Sequence, residues 1–201
     1  MLLGTALCSA QTGAIEAYQN TPNLETFRAA VNDLGATLAK DPGNYSNKLL
    51  MMELLNDQLG LLKDDLAGIA DTLAAGERFG LANTLLGMGE YSAAIKVYNS
   101  LNRDYPKWSC PWRHKGQALF LINDFSAAEK SLEEAINTNS QHWDAYIWLA
   151  KVQKELGKYA EALANLDAAS QIGQQEEGSE DPVFSSEEIR ELYNELKTLA
   201  D

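Results

Sequence analysis

From Ala75 onward the chain repeats itself. Displaced by 34 residues (94, 128, 162), it sets Ala94 over Ala128 and Ala162, and Tyr91 over Phe125 and Tyr159. Gly89, Asn123 and Gly157 fall together where a tight turn must separate two helices and tolerate a left-handed backbone. Ala82, Gly116 and Ala150 form a small-residue column; Tyr98, Leu132 and Leu166 a large one; Leu101, Ala135 and Ala169 close the pattern, and Arg78 shares a column with Trp112 and Tyr146. Small residues let antiparallel helices approach and large ones fill the space between them, so each unit buries its remaining face only against the next. A period of about 20 to 50 residues signals stacked supersecondary units, and this one suits helix pairs.

The segments Leu85-Leu86-Gly87-Met88-Gly89-Glu90-Tyr91-Ser92-Ala93-Ala94, Trp112…Gly116…Asp124-Phe125…Ala128 and Leu149-Ala150…Gly157-Lys158-Tyr159…Ala162 resemble the tetratricopeptide repeat. The resemblance implies an all-α, right-handed α-solenoid of antiparallel helix hairpins, with regular repeats at 75–108, 109–142 and 143–174. Three departures stand out: Arg78 where an aromatic is usual, Lys115 where the neighbouring copies have Leu81 and Leu149, and a third copy without the proline that Pro106 supplies to the first.

Residues 11–74 read as degenerate N-terminal helical hairpins. Leu24, Phe27, Ala30, Leu34 and Leu38 recur at helical spacing and stop at Asp41-Pro42-Gly43, after a first helix over Thr12 to Asn20. Tyr45 to Asn56 and Leu59 to Leu73 read as a further helix pair rich in Leu and Met, covering the apolar end of the array. Downstream, the polar stretch from Gln171 to Phe184, broken by Gly178 and Pro182, reads as an acidic linker centred on 175–184. A helix then spans 185–201, opened by a capping box of Ser185 with Glu188 and striped by Ile189, Leu192, Tyr193, Leu196 and Leu199. It reads as a capping helix, or alternatively as one that docks in a groove.

The formal charge of -13 repels phosphate backbones and anionic headgroups, so neither nucleic acid nor bare membrane is the expected partner. Nine acids between Gln171 and Asp201, against Arg190 and Lys197, carry about half of it. Residues 1–10 read as the remnant of a secretory signal, a short apolar stretch and then Cys8-Ser9-Ala10, although no basic segment precedes it. The expectation is an exported protein, periplasmic or extracellular and bacterial; if the stretch is only a mobile apolar end, the protein is cytoplasmic. No apolar run reaches the ~20 residues of a spanning helix.

In the family that the repeats resemble, the first helices of successive hairpins line a concave groove. That places the groove on Ala75–Met88, Ser109–Ile122 and His142–Leu156. The side chains expected to face inward are Phe79, Asn83 and Leu86; Cys110, Arg113, His114, Gln117, Phe120 and Leu121; and Asp144, Ile147, Trp148, Lys151 and Lys154. Aromatics, amides and cations together suit the grip on a peptide, with Trp148 and Arg113 as anchors. Arg113, His114 and Lys115, with no acid on their helix, predict a locally positive groove. The subclass that clamps C-terminal carboxylates needs cations where this chain has Phe79 and Asp144, which disfavours that ligand.

Cys110 and His114 stand one helical turn apart, but two ligands do not close a zinc site, and neighbours at that spacing on a rigid helix lack a third orienting group for nucleophilic catalysis. Gly87-Met88-Gly89 lacks the strand and lysine of a phosphate loop. The reading is therefore a non-enzymatic adaptor without cofactor or metal that binds a polypeptide segment in its groove. The alternative is a structural protein self-associating through the Lys48–Leu62 region or the last helix.

Overall fold

The structure is a computed structural model and describes residues 13–177 and 183–200. The signal-like start, with Cys8, and the middle of the expected linker lie outside the described residues. The described chain is helical throughout, in two compact units split between Leu66 and Ala67.

In the first unit, α1 (Gly13–Asn20) packs on α2 (Leu24–Lys40), and α3 (Tyr45–Gly68) follows. Asn23 sets the start of α2: its Oδ1 accepts from the Glu25 and Thr26 amides at 3.0 Å, and Thr26 Oγ1 accepts from the Asn23 amide at 3.2 Å. Ile15, Tyr18, Ala30, Leu34 and Leu54 form the core, flanked by Phe27, Leu50 and Met51. The helix pair expected over Tyr45–Asn56 and Leu59–Leu73 is instead one 24-residue helix. Asp57 and Gln58, where the turn was expected, neither force a positive φ nor remove a backbone donor, and Gly60 alone costs about 1 kcal/mol, too little to end a helix.

In the second unit a 3-10 turn (Ala70–Thr72) leads into three hairpins: α4 (Ala75–Gly87) with α5 (Tyr91–Asp104), α6 (Ser109–Leu121) with α7 (Phe125–Thr138), and α8 (Trp143–Glu155) with α9 (Tyr159–Glu177). Each is folded over by the same turn. Gly89, Asn123 and Gly157 take φ of 79°, 62° and 75°, and the amide after each reaches back five residues, from Glu90 to Leu85, Asp124 to Leu119 and Lys158 to Gln153. That is the helix-ending motif in which a left-handed residue lets orphan carbonyls find donors. The repeat columns supply the core: Ala82, Ala150, Ala94, Ala128, Ala162, Tyr98, Leu132, Leu166, Leu101, Ala135 and Ala169 are all completely buried.

The column of Arg78, Trp112 and Tyr146 shares a further property that residue type conceals. Each sends its polar tip back to a carbonyl of the turn that precedes its own helix. Trp112 Nε1 donates to Pro106 O at 3.1 Å and Tyr146 Oη to Ser140 O at 3.2 Å, while Arg78 reaches Leu73 O at 3.2 Å and Asp71 O at 3.4 Å. Arg78 therefore performs the aromatic residue's bond, and adds an ion pair to Asp104 at 2.6 Å on α5.

The last helix, α10 (Glu187–Ala200), lays Ile189, Leu192 and Leu196 on Ile147, Ala150, Ala162, Leu166 and Ala169 of α8 and α9. Two expectations change around it. α9 continues to Glu177, well into the expected linker, and Val183 and Phe184 at that stretch's far end join the core, Phe184 meeting the Tyr193 ring edge-on at 5.1 Å. Apolar residues just before a helix pack onto its first turn and fix its entry angle, which polarity averaged over the stretch hides. Among the described residues no helix is long and apolar enough to cross a membrane.

Candidate functional site

α4 meets α6, and α6 meets α8, more closely than α5 meets α7 or α7 meets α9. The first helices thus crowd together along one side of the second unit, and that side is its inner face. The residues expected on it fall into three groups.

At the α4–α6 joint, Phe79 is the centre of an aromatic cluster. Its ring lies 4.8 Å from Trp108, 5.3 Å from His114 edge-on and 6.3 Å from Tyr98, while Tyr98 stacks on His114 at 6.1 Å. Asn83 is occupied: its Oδ1 accepts from Tyr98 Oη at 2.7 Å. Burial holds the Tyr98 phenol far above its ordinary range, so it stays a donor. Leu86 leans on the core below. Trp108 and Tyr98 are not among the site residues that the sequence singles out. Trp108 stands one residue before α6, outside the helical pattern that picks inward positions, and Tyr98 belongs to a second helix.

At the α6–α8 joint, Arg113 is the hub. It donates to Gln117 Oε1 at 2.8 Å, lies 2.9 Å from His114 Nδ1 and pairs with Asp144 Oδ2 at 2.5 Å. Guanidinium has only donors, so Nδ1 of His114 is the bare acceptor and the proton sits on Nε2. The same placement pushes the His114 pKa down to about 4, through burial first and the Arg113 charge second, against the pull of Asp144. Asp144 is raised by burial but held below its usual range overall by His142 and Arg113. His142 Nε2 stands 3.2 Å from Asp144 Oδ1 without the alignment of a hydrogen bond. Beyond the hub, Trp148 and Phe120 meet in a T-shaped contact at 5.7 Å, with Lys151 Nζ at 4.8 Å and Arg113 Cζ at 5.7 Å from the Trp148 centroid. Phe120 and Trp148 remain half-buried and Leu121 exposed beside them.

At the far end, α10 covers the remaining positions. Ile147 is buried under it, Lys151 pairs with Glu188 at 2.6 Å and Lys154 with Glu195 at 2.7 Å. Glu188 thus serves a cation from another helix.

The expectation of a locally positive groove is overturned. Arg113 carries Asp144 on it, His114 is neutral at pH 7, and Lys115 folds over the Trp112 ring at 5.2 Å with its charge disfavoured by burial. Acids from neighbouring helices do what a search along α6 alone does not reveal. Cys110 lines an open cleft of about 320 Å³ at the α7–α8 turn, with Asn139, His142 and Asp144. Three buried polar atoms around the hub, Arg113 Nε, His142 Nδ1 and Asp144 Oδ1, make no hydrogen bond. Among the described residues no three His, Cys, Asp or Glu side chains are grouped to hold a metal ion.

The pH dependence of folding tests the His114 environment. Below pH 6.5 the unfolded chain takes up a proton at His114 that the folded chain refuses until about pH 4, so stability falls as pH drops across that window and this loss is complete near its lower end. Partial exposure of the ring limits the loss to about 2 kcal/mol. Urea melts at the two ends of the window should show His114→Gln losing less stability on acidification than the parent by about that amount; equal losses would mean the ring is solvated.

Profiles of the tetratricopeptide repeat family match residues 78–107 and 120–179. The chain is a tetratricopeptide repeat protein. The TPR2B domain of yeast Sti1, solved in its pHsp70 complex, shares 26% identity, covering 62% of this chain and 96% of that one with a TM-score of 0.56. The type III secretion chaperone SycD of Yersinia enterocolitica, solved with a peptide of the translocator YopD, shares 18% identity over 63% of this chain and 94% of its own, at a TM-score of 0.55. That second likeness speaks to the tetratricopeptide fold alone. No curated protein sequence matches significantly.

Proposed function

We propose that this tetratricopeptide repeat protein is an adaptor that takes an extended segment of another polypeptide along the α4–α6–α8 face, with Phe120 and Trp148 as its apolar anchor. The observation that carries the reading is the pair of half-buried rings, Phe120 and Trp148, left open on that face beside the Arg113 hub. A guest that lays an apolar side chain against those rings removes both from water while its backbone runs along the open face. The yeast Sti1 domain, solved in its pHsp70 complex, supports the same kind of use.

The guest is an internal segment with an apolar side chain. Arg113, Lys151 and Lys154 already hold Asp144, Glu188 and Glu195, so a terminal carboxylate would have to displace an acid to be bound. Because the rings and the hub are fixed by their neighbours, the receptor loses little freedom on binding.

Selection from a displayed peptide library, followed by titration calorimetry of a selected peptide, tests this. Trp148→Ala should weaken binding about tenfold to a hundredfold while leaving the helical signal unchanged. Peptides that bind the variant as tightly as the parent would place the site elsewhere.

A further inference from the structure

We propose that the exposed stripe of α3 is the contact surface for a second copy of this chain, joined as a two-helix coiled coil through Met52, Leu55, Leu59, Leu62 and Leu66. This goes beyond the groove reading and does not rest on it. Within its own unit α3 turns Leu54 inward, with Leu50 and Met51 beside it. The proposed seam lies about a third of a turn round the helix from that stripe. Met52, Leu55, Leu59, Leu62 and Leu66 are 66%, 48%, 42%, 49% and 39% exposed, and Leu49 adds 52% at one end.

Their spacing suits a helix as the occupant. Steps of three, four, three and four residues keep a 3.5-residue period over two heptads, the register in which one helix faces another along its length. The positions that flank the seam are Asn56, Gln58, Lys63 and Asp65. Whichever way two such helices run, Lys63 meets an amide of the second copy, Asn56 or Gln58, and no like charges oppose across these positions; for a chain of net charge -13 this is one surface where two copies approach without repulsion. Six apolar side chains from each copy, at on the order of 80 Å² apiece, remove roughly 1,000 Å² from water, the size at which a specific interface begins to hold. The last helix does not offer the same contact, because Ile189, Leu192 and Leu196 are already buried within the chain.

Sedimentation of the full chain from about 1 to about 100 µM tests the proposal. The parent should move from monomer to dimer in that range. Leu59→Glu with Leu62→Glu should weaken the dimer more than about tenfold, whereas Leu61→Glu, at an equally exposed leucine off the seam, should leave it intact. A parent that stays monomeric at the highest concentration, as it would if the stripe were covered within one chain, overturns the proposal. So does a dimer indifferent to the double variant, or one lost equally with Leu61→Glu. Circular dichroism checks that each variant folds, and the parent's concentration series decides the question even if the double variant does not.

Discussion

Arg78→Ala is expected to lower the stability of the second unit by about 3 kcal/mol, read as a shift in the urea midpoint with little change in slope. The residue is 5% exposed and ties α4 to two other pieces of chain: the 3-10 turn through the carbonyls of Asp71 and Leu73, and α5 through Asp104 and the Ser100 hydroxyl. Removing it strands those carbonyls and leaves a void beneath the first hairpin. Asp104 stays about one-third exposed, so water can take over its charge, which keeps the loss at the lower end for a broken buried pair. Arg78→Trp distinguishes the two parts of the role. If the bond to the preceding turn is what matters, the indole should recover a good share of the loss, as Trp112 makes that bond one repeat later. If it recovers nothing, the pair with Asp104 supplies most of the stability.

Gly116→Ala is expected to cost about 2 kcal/mol in the same measurement, although alanine stands at the equivalent positions of the other two repeats. A Cβ on Gly116 would lie 2.5 Å from Leu132 Cγ and 2.8 Å from its Cδ2, closer than carbon atoms can come. The atom in the way is the branch point of a completely buried leucine, so α6 and α7 must separate or Leu132 must leave its rotamer. Leu132→Ala alone should cost about 3 kcal/mol by opening a cavity. Combined with Gly116→Ala, the loss should be clearly smaller than the sum of the two, because the added methyl then occupies space the leucine vacated. Strict additivity would show that the two side chains do not compete for one notch.

These residues also mark how far the sequence can be read. The repeat columns contain the hairpins, the left-handed turns and the buried alanines, because each of those depends on neighbours a fixed distance away along the chain. Dividing α3 in two fails since its apolar residues encircle the helix, and a pattern with leucines on every side gives no phase from which to locate a turn. The electrostatics of the groove are hidden for a different reason. Lys151 and Glu188 are 37 residues apart and Lys154 and Glu195 are 41, so their pairing exists only once α10 has docked. Asp144 is legible as a groove residue but not as the partner of Arg113, which sits on the preceding first helix.

The bond from Arg78, Trp112 and Tyr146 to the turn upstream closes a loop of only about six residues, for which the entropic cost of bringing the ends together is small. Each hairpin can accordingly fasten its own entrance before any neighbour arrives. Assembly of the array has no obligatory first step: a nucleus in any of the three hairpins can recruit the next, and separation of one joint need not undo the others.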